Sequence, residues 1–453
     1  MTGSGIHSVE PPSARTSTEN DSLLNGTGTM KKKRRWWKKV KTRVRSEIDV
    51  SYKGFGSSSN KPSTHAAQSP QNLPSKYNVD EAMPVWKVKT CEQDSSLIPT
   101  VAVTIWLGCQ GFVSWVLLDF VVFGSYAKRA LFIVFAILSL SQPRDKTVRN
   151  WTTIALETSI YGIIVASIML RSITVLIMSI SIAVPLNFPQ ELGKKLGDWI
   201  AKESEKYFGL KTTLEDEEAI SEISKLNKAA IFAFEPHDVL GYGCFAFSPV
   251  LKRLPPGFVP DNIKCLVSSA ILNTPLVRNV SSWCRCGSVE KSSFRAHLKN
   301  GESIVFVPGG VQEVLLMDPS NPRQLILYLK NRKGFVKMAL ENGSPLVPVF
   351  CFGLDGSYAY HIPKGKIINQ ISRVMGFIPV LFWGRFHIPF GIPRPQKIHV
   401  VIGKPIVCPL LGEDVSSEDI NKYHELFLNE LEQLFERHKV GEKDYCDREL
   451  KIM

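Results

Sequence analysis

Two loops carry the residues that could perform chemistry. FAFEPHDVLGYG (Phe232 to Gly243) holds His237 between a proline and an aspartate, directly after an apolar run. About seventy residues later, IVFVPGGVQEVLL (Ile304 to Leu316) repeats the layout with a double-glycine turn and Glu313. A neutral imidazole at a strand end can accept a proton from an alcohol within hydrogen-bond range. Glu235, Asp238 and Glu313 each offer a carboxylate that could fix its tautomer and stabilise the imidazolium, and the sequence does not choose among them. Gly309 and Gly310 would let backbone approach a substrate and could aim N–H groups at a developing oxyanion. The plainer alternatives are a histidine that only satisfies its own turn and a PGG that is only a turn. Cys244, seven positions after His237, could in principle carry an acyl group, but a buried strand-end cysteine is more often inert.

The elements needed to position such loops follow from residue 190 onward. Helical patterns such as KKLGDWIAKESEKYF and GFVKMALENG alternate with apolar, β-rich runs: AAIFAFEP, IVFVPGG, PLVPVFCFG and KIHVVIGKPI. This predicts an α/β domain over 188–453, with a mostly buried sheet flanked by helices. Ser416 and Asp419 suggest a capping box for a closing helix. Its stripe of Ile420, Tyr423, Phe427, Leu431, Leu434 and Phe435 reads as core.

Upstream the composition changes twice. Residues 1–97 are rich in Ser, Thr, Asn, Pro and Lys, and are expected to form a largely disordered basic tail. Within it MKKKRRWWKKVKTRVR (Met30 to Arg45) suits anionic headgroups, with its tryptophans at the interface, and nothing in it reads nucleic-acid bases. Residues 98–187 carry long apolar stretches, with Asp119 in the first and Arg171 dividing the last, and are expected to form membrane-embedded hairpins. Lysines and arginines on both flanks put the tail and the domain after it on the cytosolic side. The net charge of +13 fits a protein that meets an anionic surface, and nine scattered cysteines predict neither disulfides nor a zinc site.

Longer blocks give these motifs a relative. EPHDVLGYG, NIKCLVSSAILNTPLVR (Asn262 to Arg278), FVPGGVQE, RKGFVKMALENGSPLVPVFCFG (Arg332 to Gly353), HVVIGKPI, LFERHK and ELKIM occur in family order. The chain resembles the type 2 acyl-CoA:diacylglycerol acyltransferases of plants and algae. It departs from the family at EPHD, where HPHG is common and EPHS is the plant form, so Asp238 adds a carboxyl where a small residue is usual. YFG (Tyr207 to Gly209) and NRKGF (Asn331 to Phe335) also differ from the usual YFP and Arg-x-Arg-Lys-Gly-Phe.

The resemblance implies a membrane-anchored acyltransferase-like domain in the endoplasmic reticulum, facing the cytosol, with access to lipid droplets. It would make triacylglycerol from acyl-CoA and diacylglycerol, with acyl-CoA as substrate and no metal or other cofactor. A second copy of the chain is allowed as a partner. His237 would be the base, with Glu313 the favoured orienting carboxylate. Arg278, Arg332, Lys333 and Lys337 would be candidates for the phosphates of coenzyme A. The alternatives are a monoacylglycerol or wax-ester acyltransferase of the same superfamily, and a catalytically silent lipid-droplet scaffold. A glycerol-phosphate acyltransferase is disfavoured because the residue five beyond His237 is Tyr242, not aspartate, and a lipase because no Gly-x-Ser-x-Gly elbow is present.

Overall fold

Alternation along the buried strands decides the architecture. In Ile231–Glu235, Phe232 and Phe234 point into one apolar layer while Ile231 and Ala233 point into a second, and Leu346–Phe352 divides the same way. Both faces of the sheet must therefore be covered by helices. The computed structural model describes residues 86–118, 159, 169–225, 228–258, 262–318, 320–363 and 380–453. All of these fall in the unit formed by residues 77–363 and 378–453.

The described strands are β1 (Lys87–Thr90), β2 (Lys211–Leu214), β3 (Ile231–Glu235), β4 (Ile263–Val267), β5 (Cys286–Ser288), β6 (Ser303–Phe306), β7 (Gln324–Leu327), β8 (Leu346–Phe352), β9 (Ala359–His361), β10 (Leu381–Trp383), β11 (His399–Ile402) and β12 (Glu449–Ile452). The described helices are α1 (Leu97–Trp106), α2 (Gly108–Leu118), α3 (Met169–Ala183), α4 (Gln190–Tyr207), α5 (Glu217–Lys225), α6 (Ser269–Asn273), α7 (Val277–Trp283), α8 (Lys291–Lys299), α9 (Val311–Leu316), α10 (Gly334–Asn342) and α11 (Ser417–Lys439). Eight strands form the main sheet in the order β1-β2-β11-β8-β3-β6-β4-β5. The run from β8 to β5 is parallel, whereas β11 pairs antiparallel with β8. The carboxyl ends of β3, β6 and β8 thus lie side by side at one edge, where an open α/β sheet places its ligands.

Helix α11 covers the second layer with Phe427, Leu431, Leu434 and Phe435, all fully buried, as its sequence stripe predicts. Ser416 caps it: the hydroxyl accepts from the Asp419 N–H at 3.0 Å and donates to Asp419 Oδ2 at 2.6 Å. Arg437, His438 and Lys439 in its last turn suit the negative end of the helix dipole.

The amino-terminal boundary differs from the sequence expectation. Residues 87–90, assigned to the tail, pair with β2 as the sheet's edge strand. The side chain of Gln93 donates to the carbonyls of Tyr207, at 3.3 Å, and Pro395, at 2.8 Å. Only four residues long, polar and on an edge, β1 carries almost no apolar signal. Helix α1, expected inside the membrane region, packs on α4 and buries Val103 and Leu107 in the first layer. Among the described residues no single helix is long and apolar enough to cross a membrane, although α1 and α2, bent by 52° at their junction, pass that test together. The rest of the expected first hairpin (119–142), most of the first half of the second (152–158 and 160–168) and the basic run of residues 30–45 lie outside the described residues.

Candidate active site

Parallel pairing of β3 with β6 brings the two chemistry-bearing loops together, because both strands end at the same sheet edge. His237 follows β3 by two residues and is half-buried. Its Nδ1 lies 2.8 Å from the backbone carbonyl oxygen of Asp238. A carbonyl can only accept, so Nδ1 carries the proton and Nε2 keeps a lone pair. Burial also lowers the pKa of the imidazole, only partly offset by that hydrogen bond, and so favours the neutral ring. This is the protonation state required of a general base.

Glu313, on the first turn of α9, is buried, and both of its oxygens are engaged by backbone. Oε2 accepts from the N–H of His237 at 2.9 Å, and Oε1 accepts from the N–H of Tyr328 at 2.9 Å. It therefore fixes the main chain that carries the histidine, not the imidazole ring. Glu235, the last residue of β3, reaches the other way and accepts from the Gly309 N–H at 2.9 Å. The two glutamates cross-brace the loops, each side chain holding the backbone of the other strand's turn. Gly309 is required there, because a Cβ would stand 1.9 Å from Glu313 Oε1. Its N–H is committed to Glu235 and is not an oxyanion donor.

Burial, and then the neighbouring Glu313, push the Glu235 carboxyl well above its usual range. The two N–H bonds to Glu313 favour its anion, so a proton shared by the pair resides on Glu235. The Arg332 charge opposes both shifts, and its guanidinium lies over the Tyr328 ring at 5.2 Å.

Asp238 points into the other layer. It sits in the left-handed region at φ +50°, where asparagine and aspartate are tolerated better than most residues, and its carboxyl is 5% exposed. Burial, with a smaller contribution from Asp355, raises its pKa from 3.8 to about 7. Its Oδ2 and the hydroxyl of Tyr358 are buried without hydrogen-bond partners. Nearby, Tyr242 bonds Ser357, while Asp355 is held by the Tyr445 hydroxyl and by Arg448. Asp238 thus contributes its backbone carbonyl to the imidazole and its side chain to a separate polar cluster.

The other sequence candidates are scattered. Arg278 donates from Nη1 to the Ile182 carbonyl at 2.8 Å, next to the end of α3. Lys333 donates to Asn421 Oδ1 at 2.6 Å, and Lys337 lies 3.9 Å from Glu341 on its own helix. Of the four cations only Arg332 is brought to the two candidate site loops, and there it faces the glutamate pair. Gly310 adopts φ +62° at the start of α9, a conformation that suits glycine. Cys244 is buried, and its hydrogen bond with Cys265, together with burial, pushes its thiol well up, away from the thiolate. Sequence reading missed Tyr328 and Asp355; the only signal for either was its place in the loop after a strand.

Comparisons with known proteins identify the family. The sequence profile described as diacylglycerol acyltransferase matches residues 168–452, which include both site loops. Diacylglycerol O-acyltransferase 2 of Dictyostelium discoideum is 33% identical over 236 residues, covering 50% of this chain and 70% of that protein. 2-Acylglycerol O-acyltransferase 1 of Bos taurus is 34% identical over 46% of this chain and 65% of its own length. Acyl-CoA wax alcohol acyltransferase 2 of Homo sapiens is 29% identical over 46% of this chain and 66% of its own length. With a profile match over most of its length and both motif loops inside it, the chain belongs to the diacylglycerol acyltransferase family.

Proposed function

We propose that the protein transfers a fatty acyl group from acyl-CoA to the free hydroxyl of diacylglycerol, forming triacylglycerol. The observation that carries the mechanism is the Nδ1–H bond of His237 to the Asp238 carbonyl, which leaves Nε2 unprotonated. Nε2 accepts the hydroxyl proton as that oxygen attacks the thioester carbonyl. Collapse of the tetrahedral intermediate breaks the C–S bond, and the leaving thiolate takes the proton back from the imidazolium. The products are triacylglycerol and free coenzyme A, with no acyl-enzyme and no net change in the histidine. Glu313 and Glu235 keep the two loops in register while charge passes through the ring.

The acceptor lives in lipid, and the surface of the chain supports a membrane location. Helix α3 and the segment after it expose Met169, Leu170, Ile173, Leu176, Ile180, Ile182 and Phe188, each by about half or more. An apolar surface of this extent suits a bilayer. The endoplasmic reticulum and lipid droplets are the proposed sites, with the basic tail and the catalytic domain both on the cytosolic side. Relatives of similar identity are named for 2-acylglycerol and for wax alcohol, so those acceptors form the second reading.

Both readings are tested by supplying labelled acyl-CoA to membranes from a host without its own neutral-lipid acyltransferases, with diacylglycerol, monoacylglycerol and fatty alcohol offered in parallel. Triacylglycerol as the dominant product supports the proposal, and dominant wax ester would overturn the choice of acceptor. Silence with all three acceptors would favour a scaffold role.

A further inference from the structure

The segment that runs from β10 up to β11 has a constitution that catalysis does not explain. From Val380 to Lys397 it reads VLFWGRFHIPFGIPRPQK, with four aromatic residues, two arginines, a histidine and a lysine, and no acid. Its tip turns its apolar side chains outward: Phe386 is 64% exposed and Ile388 49%. Leu381 at the start of β10 is also exposed.

The tip is nevertheless held in place. Phe386, His387 and Phe390 all have left-handed φ, at 62°, 56° and 55°. Bulky residues persist there only where their surroundings over-determine them. Phe390 N–H donates to the Phe382 carbonyl at 2.8 Å, and Arg385 N–H to the Ile392 carbonyl at 2.8 Å. The Arg385 guanidinium bonds Thr100 Oγ1 at 2.9 Å and lies 4.9 Å from the Phe386 ring centre. A loop tied down this firmly does not expose a phenylalanine for want of alternatives.

Helix α2 rides on the same loop. Trp115 Nε1 donates to the Pro389 carbonyl at 2.9 Å while its ring stays exposed, and Phe112, one turn earlier, is exposed too. Gly111 permits the approach, because a Cβ would fall 1.8 Å from the Phe390 carbonyl oxygen. A tryptophan with its N–H satisfied and its ring outside suits the headgroup layer. The sequence from α2 to Gly124 carries Asp119 as its one charged residue and is otherwise strongly apolar, which is the character of a segment entering lipid.

We propose that residues 385–390, docked under α2, form a membrane-contact element of the catalytic domain, seating Phe386 and Ile388 in the headgroup layer of a phospholipid bilayer. The proposal rests on the membrane reading above and adds a contact far along the chain from the amino-terminal apolar region. The occupant is lipid because the tip is apolar and basic without any acid, and because it is fastened to the helix that leads into the apolar stretch. His387, exposed at the tip, is placed to meet anionic headgroups. Trp106 of α1 also packs edge-on against Tyr242 and Phe245, just after the histidine loop, so the helices that carry the tip touch the catalytic side of the sheet.

The test uses the full chain reconstituted into phosphatidylcholine vesicles, with or without phosphatidylserine. Phe386 or Ile388 is replaced by photoreactive benzoylphenylalanine. Val440, 75% exposed at the end of α11 on the opposite face of the sheet, serves as control, and Leu170 on α3 reports that the protein is inserted. Covalent phospholipid adducts at 386 and 388, absent at 440 and more frequent with phosphatidylserine, are the expected result. Adducts at 170 but not at 386 or 388 would overturn the proposal, as would crosslinking of 386 to a second copy of the chain. Phe386→Ser with Ile388→Ser is expected to raise KM about tenfold for diacylglycerol presented in vesicles, with kcat and the KM for a short-chain soluble acceptor unchanged. A uniform fall in kcat would assign the loop a structural role and overturn it. Acyl transfer by the same vesicles is scored separately, so loss of the loop contact and loss of the enzymatic reading are distinguishable.

Discussion

Two pairs of carboxyls flank His237, three of the four groups buried, and they are built on opposite terms. Glu235 and Glu313, in the second layer, have three backbone N–H groups aimed at them and a guanidinium nearby, and of their four oxygens only Glu235 Oε2 is buried without a partner. Asp238 lies in the first layer, where its Oδ2 is left without a partner, as is the Tyr358 hydroxyl, while the partly exposed Asp355 is bonded by Tyr445 and Arg448. A buried polar group that is bonded stabilises its surroundings, whereas an orphaned one costs about 1–3 kcal/mol. The glutamates therefore act as a structural clamp on the imidazole's backbone. Asp238 is a tolerated burden whose charge the fold resists. Proximity to a histidine does not by itself make a carboxylate its catalytic partner.

The largest effect is expected from the clamp. Glu313→Ala orphans two backbone N–H groups, and should lower stability by about 2–6 kcal/mol and remove most of the activity. Denaturant unfolding of Glu313→Ala beside Glu313→Gln, which retains one acceptor oxygen, should rank the glutamine variant between alanine and wild type. Equal stability of all three would dissolve the distinction between the pairs.

Asp238→Asn should act in the opposite direction. Its pKa rises from 3.8 to about 7 on folding, so the unfolded chain gives up the proton first as the pH rises. Stability attributable to this residue is therefore greatest below pH 4, declines between about pH 4 and 7, and is constant above, a difference on the order of 4 kcal/mol in all. The asparagine variant should match wild type near pH 4 and exceed it at pH 8 in thermal unfolding. A variant less stable than wild type at pH 8 would mean that the carboxylate is needed in its charged form.

Arg332 discriminates between two roles. If it serves the glutamate pair, Arg332→Leu costs about 1–3 kcal/mol of stability with the acyl-CoA KM unchanged within about twofold. A tenfold rise in that KM at unchanged stability would instead assign it to the phosphates of coenzyme A. The smallest effect belongs to Lys337→Ala, which removes a half-exposed pair with Glu341 worth about 0.3–0.5 kcal/mol, and should leave acyl-CoA kinetics within about twofold.

Where an apolar run was long and bounded, its strand could be read directly. IFAFE, SIVF, LVPVFCF and HVVI became β3, β6, β8 and β11, because only β-rich runs with both faces buried look like that. β1 escaped because an edge strand of four residues with a single valine has no apolar period to detect. The candidate base His237 was visible from its turn, but the tasks of the carboxylates were not. That Glu235 and Glu313 brace each other's loops instead of facing the ring depends on β3 and β6 being neighbours, although separated by β4 and β5 in sequence. The reach of Glu313 to Tyr328 likewise depends on a loop packing that no local pattern encodes.

The decisive measurement is triacylglycerol formation from labelled acyl-CoA by His237→Ala and wild type, expressed to the same level in membranes lacking other acyltransferases. Loss of about 10²–10⁴-fold in turnover with unaltered thermal unfolding is the predicted result. Turnover within about fivefold of wild type would show that another group takes the proton, and would contradict the role assigned to Nε2 of His237.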